Sequence, residues 1–259
     1  MSLSDLPAVF SGSLVGLILG VIGGGGSILA VPLLVYVVGV KSPHVAIGTS
    51  AIAVALSAFV NLIDHARRHH VCWSVAMLFA IFGVAGAAVG STLGKHTDGQ
   101  KLLMLFGILM IAVAASMALR SEGGSKPQVQ LDRRNAPWVA GIGFAVGALS
   151  GFFGIGGGFL VVPGLVAATS MTMIVAIGSS LVSVTAFGLT TAANYALSDL
   201  IDWRLVLLFV GGGVVGGLLG GQLATTLAEK KRALSIVFAV VVATVGVYVV
   251  VRGMMNLMG

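Results

Sequence analysis

Two glycine-rich stretches decide the fold of this chain: IGGGGS at residues 22–27 and GIGGGF at residues 154–159. Each lies inside a long apolar run, where a glycine costs a helix roughly 1 kcal/mol relative to alanine. An apolar run interrupted in this way is expected to form a broken helix or a re-entrant hairpin. The two stretches therefore predict irregular backbone at two separate places in the chain.

The lengths of the two glycine-containing runs support this interpretation. As continuous helix, about 32 residues would reach about 48 Å, against a hydrocarbon core of about 30 Å, while each half of the run reaches only about 24 Å. Non-helical backbone at membrane depth is tolerated only where protein buries it or where it lines a wet cavity. Glycine-interrupted segments at matching positions of two repeats are typical of the binding site of a transporter.

Composition indicates the broad class of protein. Hydrophobic residues make up 58% of the chain, charged residues only 8%, and the mean hydropathy is +1.10. These values predict an all-α, polytopic membrane protein. The net charge of +6 comes from Lys and Arg in short connections, where lipid head groups and topology signals explain it better than nucleic acid.

The apolar runs divide the chain into two halves of four runs each. A polar linker, RSEGGSKPQVQLDRRNA at 120–136, separates a first transmembrane repeat (1–119) from a second (137–259), and together these predict one membrane domain. The eight runs lie at 7–40, 44–63, 73–94, 102–119, 137–171, 174–198, 203–228 and 233–251.

The halves also match in sequence. GLILGVIGGGGSILAVP at 16–32 aligns with GALSGFFGIGGGFLVVP at 147–163, and AIGTS at 46–50 aligns with AIGSS at 176–180. A one-residue gap separates the glycine motifs from these segments, and at the same offset as AIGTS and AIGSS, Trp73 aligns with Trp203. The two halves are therefore homologous repeats.

The positive charges favour one topology. If the first run of each half crosses the membrane once, the Lys and Arg residues of the loops divide eight against six between the two membrane faces. If that run returns to its own side or crosses twice, they divide nine against five. The positive-inside rule favours the second arrangement, which makes the halves inverted repeats with both termini outside the cytoplasm. The nine residues on the cytoplasmic face are then Arg67, Arg68, Arg120, Lys126, Arg133, Arg134, Lys230, Lys231 and Arg232.

Three features of the sequence are distinctive: the two glycine motifs, each followed by a proline, the AIGTS and AIGSS segments, and the loops before Trp73 and Trp203. Together they resemble the sulfite exporter TauE/SafE family. The resemblance covers nearly the whole chain. It implies an integral protein of the bacterial cytoplasmic membrane that moves sulfite, sulfonates or related anions. The chain reads HARRHHVCW at 65–73 where the family more often has Asp before Trp, and LIDW at 200–203 keeps that Asp.

The residue types at the breaks suit an anion. A glycine-rich break exposes backbone N–H groups, and a half-helix that starts at Ser27 or Gly158 would point its positive end into the gap. The predicted substrate-binding residues of the two breaks are Gly24, Gly25, Gly26, Ser27, Gly156, Gly157 and Gly158. Other glycines are expected to permit close helix packing instead: Gly83, Gly86, Gly90, Gly213, Gly216, Gly217 and Gly220.

Hydroxyl and amide side chains complete the predicted pocket. The candidates are Thr49, Ser50, Asn61, Ser179, Ser180 and Asn194. The alternative for each hydroxyl is a bond to its own helix backbone, and for each amide a contact with a cavity or another helix. Asp64, His65, His69 and His70 are expected to be solvated loop residues, with proton coupling as the alternative.

The residue patterns predict a secondary transporter of a small anion, and the resemblance implies export of small sulfur-containing anions such as sulfite or organosulfonates. The alternatives are an anion channel and a non-transporting membrane assembly partner. No Lys follows the glycines as in a P-loop, and no acidic residue follows GIGGGF as in a dinucleotide site. We therefore expect no enzyme activity, no cofactor, no metal and no nucleic acid partner, only the anion and membrane lipid.

Overall fold

The computed structural model describes residues 5–22, 24–119, 131–132, 135–226 and 231–258, and these residues are almost entirely helical. The helices are α1 (Leu6–Ile22), a 3-10 segment (Gly24–Leu29), α2 (Ala30–Tyr36), α3 (Pro43–Arg67), α4 (Trp73–His96), α5 (Gly99–Leu119), α6 (Ala136–Phe153), α7 (Gly158–Thr169), α8 (Met173–Ala196), α9 (Trp203–Thr226) and α10 (Lys231–Met258). No β-strand occurs among the described residues.

Six of the described helices, α3, α4, α5, α6, α8 and α9, are long and apolar enough to cross a membrane. Large apolar side chains on their outer faces, such as Ile81, Leu207 and Leu218, are more than half exposed in the protein alone. Lipid tails would cover such side chains. The prediction of an all-α, polytopic membrane protein is therefore confirmed.

Both glycine-containing runs are broken, as predicted. In the first run α1 ends at Ile22, and the 3-10 segment leads into α2. In the second run α6 ends at Phe153, and the turn before α7 places Gly154, Gly156 and Gly157 at φ values of 66°, 62° and 72°. This left-handed region is one that glycine enters without steric cost. Glycine is therefore required by the backbone of the second break itself.

Two pairs of helices pack in direct backbone contact and run parallel. A Cβ added at Gly86 would overlap the carbonyl oxygen of Phe144, and one at Gly90 would overlap that of Ala148, so the α4–α6 contact advances in the same direction along both helices. The equivalent contacts between α1 and α9 are Gly12 with Phe209 and Gly16 with Gly213. Such close approach to a neighbouring backbone requires a glycine on at least one of the two helices at each contact.

The glycines predicted to serve packing mostly do so. A Cβ at Gly216 would overlap the carbonyl oxygen of Ser13, and one at Gly83 would overlap the ring of Phe187. A Cβ at Gly147 would overlap the carbonyl oxygen of Gly83. With Gly86 and Gly90, these positions confirm the packing prediction. Gly217 does not fit it, because the nearest atom to an added Cβ is 3.7 Å away.

Two further pairs of helices run antiparallel. An added Cβ at Gly48 would lie 3.0 Å from the Cβ of Tyr195, and one at Gly188 would lie 2.8 Å from the Cβ of Ala55, so α3 and α8 cross in opposite directions. The α5–α10 contacts run the same way, through Gly107 with Gly246 and Gly253 with Met104. Each of these pairs joins corresponding helices of the two aligned halves.

The packing contacts generate a testable prediction. We expect Gly216→Leu to lower the yield of folded protein sharply, because the new side chain must displace the backbone of α1. Gly211→Leu, five residues earlier in α9, is the matched control, since nothing lies within 4 Å of a Cβ at Gly211. The measurement is the fraction of purified protein that elutes as one monodisperse peak. Equal yields for the two variants would contradict the close packing of α1 on α9.

Candidate functional site

The break between α6 and α7 lies against the middle of α3 and α8. The hydroxyl of Ser50 on α3 is 3.3 Å from the carbonyl oxygen of Gly154 and 3.0 Å from that of Ile47. A Cβ at Gly156 would lie 3.0 Å from Cγ1 of Val54 on α3 and 3.4 Å from Cγ1 of Val184 on α8. The break in the second half is therefore enclosed by helices from both halves.

Backbone N–H groups without acceptors collect at the start of α7. The N–H groups of Leu160 and Val161 both donate to the carbonyl of Gly157, at 2.8 Å. Within the described chain, the N–H groups of the four residues before them donate to no backbone carbonyl: Gly156, Gly157, Gly158 and Phe159. They lie at the positive end of a helix of 12 residues. An anion with several oxygens is the ligand that would satisfy them.

A buried hydroxyl adjoins these N–H groups. Ser150 on α6 is fully buried, and its Oγ has no hydrogen-bond partner in the part of the chain that the structure describes. A Cβ at Gly157 would lie only 2.7 Å from this Oγ. Ser183, one residue before Val184, also has a fully buried hydroxyl without a partner. Buried polar groups normally have partners, so these two hydroxyls are candidates for ligand contacts.

Neither Ser150 nor Ser183 was among the residues predicted from the sequence. Ser150 was detectable, because it aligns with Leu19 and places a hydroxyl in one copy of an otherwise apolar repeat. Ser183 aligns with Ala53 in the same way. The signal is a polar difference between matched positions, whereas the hydroxyls predicted after the glycine motifs, at 49–50 and 179–180, are ones that the two halves share.

The first break has a different construction. An added Cβ at Gly26 would lie 2.7 Å from the backbone nitrogen of Leu19 and 2.8 Å from the carbonyl oxygen of Val15, so Gly26 lets the chain fold back onto α1. Gly24 and Gly25 lie in the 3-10 segment, and Ser27 in the same segment is fully buried. This segment contacts α7 and α8, so the structure brings the two breaks together.

Thr49 and Ser179 contact loops rather than the breaks. The hydroxyl oxygen of Thr49 accepts a hydrogen bond from the N–H of Asp202 at 3.0 Å, and that of Ser179 accepts one from the N–H of Cys72 at 2.9 Å. Ser180 donates to the carbonyl of Ile177 in its own helix at 2.7 Å. Of the contacts described for these four hydroxyls, that of Ser50 with Gly154 involves a glycine of a break.

The two predicted amides lie farther along their helices. Asn61 donates to the carbonyl of Ser57 in its own helix at 3.0 Å. Asn194 donates to the hydroxyl oxygens of Ser91 at 2.6 Å and Thr92 at 3.0 Å on α4. At 1.5 Å per residue, Asn61 is about 10 Å from the level of Val54, and Asn194 about 15 Å from that of Val184. The structure does not bring these amides to the breaks, and their binding role stays a prediction.

Charged side chains of the described residues lie at helix ends and in loops. Asp64 pairs with Arg68 at 3.0 Å, and Asp5 pairs with Arg204 at 2.8 Å. The carboxylate of Asp202 accepts from the N–H of Leu205 at 3.0 Å and so caps the start of α9. Near the α6–α7 break, the groups available to a ligand are neutral hydrogen-bond donors.

Comparisons with known proteins agree with the fold. A protein-family model described as "Sulfite exporter TauE/SafE" matches residues 8–249. A "Probable membrane transporter protein" of Xylella fastidiosa strain 9a5c is 50% identical over 255 residues, which is 98% of each chain. "Probable membrane transporter protein YunE" of Bacillus subtilis is 26% identical over 225 residues, covering 79% of this chain and 82% of that protein. No solved structure matches the chain significantly.

Proposed function

Because the chain belongs to the sulfite exporter TauE/SafE family, whose members are membrane transporters and not enzymes, we propose that it exports small sulfur-containing anions. The substrates would be anions such as sulfite or organosulfonates, and the location the bacterial cytoplasmic membrane. One observation carries this proposal: the N–H groups at the start of α7 have no backbone acceptor in the described chain and are enclosed between α3 and α8.

Neutral donors suit an oxyanion that must bind and leave again. A sulfite or sulfonate group has three oxygens, each able to accept from backbone N–H groups and from hydroxyls such as those of Ser150 and Ser183. Binding by dipoles, without a fixed opposite charge, leaves the site neutral once the anion departs. Chloride is a single sphere and would satisfy fewer of these directed donors at once. The geometry therefore favours oxyanions over halides.

The proposed mechanism is alternating access between two inverted repeats, 1–119 and 137–259, joined by the linker 120–136 into one membrane domain. Support comes from the corresponding pairs α3–α8 and α5–α10, which pack antiparallel. An axis that relates antiparallel partners runs across the helices, and hence in the membrane plane. The parallel pairs α1–α9 and α4–α6 each join one helix from either half, so each pair can move as a unit.

The second candidate function is an anion channel, which would lack alternating access. The contacts of Gly156 with Val54 and Val184 favour the transporter, because they close the region between α3 and α8 beside the free N–H groups. A non-transporting assembly partner has less support, since the relatives carry the name of membrane transporters.

Counterflow in proteoliposomes that contain only this protein separates these functions. Vesicles loaded with unlabelled sulfite and placed in dilute radiolabelled sulfite should accumulate label transiently above its equilibrium level, because a carrier exchanges one anion for another. Uptake without this overshoot would indicate a channel. Uptake equal to that of protein-free vesicles would contradict any transport of sulfite.

The buried hydroxyl of Ser150 gives a sharp test of the site. We expect Ser150→Ala to lower sulfite flux per folded molecule about tenfold, the value of one hydrogen bond to a charged group. Stability should be unchanged or slightly raised, because the hydroxyl has no partner in the described protein. Ser11→Ala is the matched control, since Ser11 on α1 is also fully buried and its Oγ also has no partner there. Equal flux in the two variants would place the anion elsewhere.

The inverted topology predicts which face each loop occupies. In a Cys72→Ser background, which lacks the single cysteine of the chain, a cysteine at Asn135 should react with a membrane-impermeant thiol reagent only from the cytoplasmic side. A cysteine at Lys41 should react only from the opposite side. Labelling of both positions from the same side would overturn the inverted arrangement.

A further inference from the structure

Two loops hold the halves together in matching ways. Residues 68–72, before α4, lie on the first turns of α8, where the N–H of Cys72 donates to Ser179. Residues 197–202, before α9, lie on the first turns of α3, where the N–H of Asp202 donates to Thr49. Each loop therefore closes one end of the α3–α8 pair, and the two closures correspond in the alignment of the repeats.

The backbone of the two loops is the same, but the side chains differ. The N–H of His70 donates to the carbonyl of His65 at 3.0 Å, and the N–H of Leu200 donates to the carbonyl of Tyr195 at 3.1 Å. At the 68–72 loop, the two residues joined by this backbone hydrogen bond thus both carry imidazoles, and the ring centroids of His65 and His70 are 5.6 Å apart. At the 197–202 loop the same places hold a phenol and an aliphatic group, which do not titrate near neutral pH.

His65 and His70 are both partly buried. Nδ1 of His65 and Nδ1 of His70 are buried, and neither has a hydrogen-bond partner in the described structure. The expectation that these two are solvated loop residues therefore holds only in part, because each residue is partly exposed and His65 lies in α3. Asp64 and His69 are exposed, as expected. His69 lies between His65 and His70 in sequence and has a φ of 57°.

Few other charges act on the pair. Asp64 on α3 and Arg68 in the loop form an exposed ion pair with each other, with about 60% of each side chain exposed. The adjoining first turns of α8 (173–177) and α4 (73–77) contain no ionisable side chain. Arg67 and His69, at the end of α3 and in the loop, are exposed, so His65 and His70 are the imidazoles with a buried nitrogen at this end of α3.

We propose that His65 and His70 form a proton-binding site that keeps the 68–72 loop on α8 while both rings are neutral and releases it when a ring is protonated. A protonated imidazole has two N–H donors, and here one of them would be Nδ1–H, buried without an acceptor. The positive charge would also lie close to the second ring. Opening the loop gives both nitrogens water, so protonation favours the open loop.

The consequence for transport rests on the proposed function. Histidine ordinarily titrates between about pH 5 and pH 8, whereas Tyr195 and Leu200 do not respond in that range. Protons would therefore open only one of the two ends of the α3–α8 pair, the end of α3 that contains Arg67. A drop in pH should increase anion access from that end.

Native Cys72 lies in the 68–72 loop and reports its release. We would compare the rate of Cys72 alkylation in the wild type with that in a His65→Tyr/His70→Leu double variant, which copies the side chains of the other loop. The ratio of the two rates at one pH cancels the titration of the thiol itself. Between about pH 8 and about pH 5.5 we expect this ratio to rise about fivefold or more. A ratio that stays constant would overturn the proposal.

His69→Asn is the matched control, because Asn tolerates a positive φ and removes an imidazole of the same loop. It should keep the pH response of the wild type, and loss of the response in this variant would also contradict the proposal. If the double variant fails to fold, His70→Leu alone serves, since one imidazole then remains without its neighbour. Its pH response should be clearly smaller than that of the wild type, and an undiminished response would count against the pair.

Sulfite flux in proteoliposomes separates this proposal from the transport function. The ratio of wild-type to double-variant flux should rise about fivefold over the same pH range, with the titration of sulfite common to both. A pH-dependent labelling ratio without flux in any variant would contradict transport but support the proton site. Flux with the same pH profile in both proteins would support transport and overturn the proton site.

Discussion

A backbone N–H group inside a membrane needs an acceptor, and the start of α7 presents four that donate to no backbone carbonyl in the described chain. Such groups are tolerated only where protein encloses them and a ligand or water can reach them. The surrounding structure serves this requirement. Glycines with positive φ turn the chain between α6 and α7, while α3 and α8 enclose the turn from either side. The anion is the missing acceptor in this account.

The packing around the breaks separates rigid parts from parts that can move. The pairs α1–α9 and α4–α6 touch through glycine backbone, so any sliding within a pair would bring atoms into overlap. Outside these pairs, α3 crosses α8 and two loops dock on them. Each loop is held by one hydrogen bond to a hydroxyl and by one carbonyl that lies against a glycine, that of His70 at Gly178 and that of Leu200 at Gly48. Each loop meets its helix at one glycine, whereas α1–α9 and α4–α6 meet at several successive glycines, so motion is easiest at the loops. This division is the physical basis of the alternating access that we propose.

Several features were predictable from sequence because they depend on the chain's own geometry. The broken runs followed from the length of an apolar helix, and the packing role of Gly86 and Gly216 followed from helical spacing. The positive φ values at Gly156 and Gly157 were not predictable, since many glycines adopt ordinary helical angles. The partners of Thr49 and Ser179 were not predictable either, because each lies in the other half, more than a hundred residues away. Burial of His65 and His70 depends on the same docking of a loop onto a distant helix.

The central claim is that the N–H groups at the start of α7 hold the anion, and the amide signal of Phe159 tests it most directly. Labelling with carbonyl-13C glycine and 15N phenylalanine selects Gly–Phe pairs, of which the chain has three: Gly143–Phe144, Gly151–Phe152 and Gly158–Phe159. The first two lie within α6 and serve as internal controls. Sulfite should shift the Phe159 amide signal in a saturable way and leave those of Phe144 and Phe152 nearly unchanged. A Phe159 signal that does not move, in protein that transports sulfite, would contradict the account.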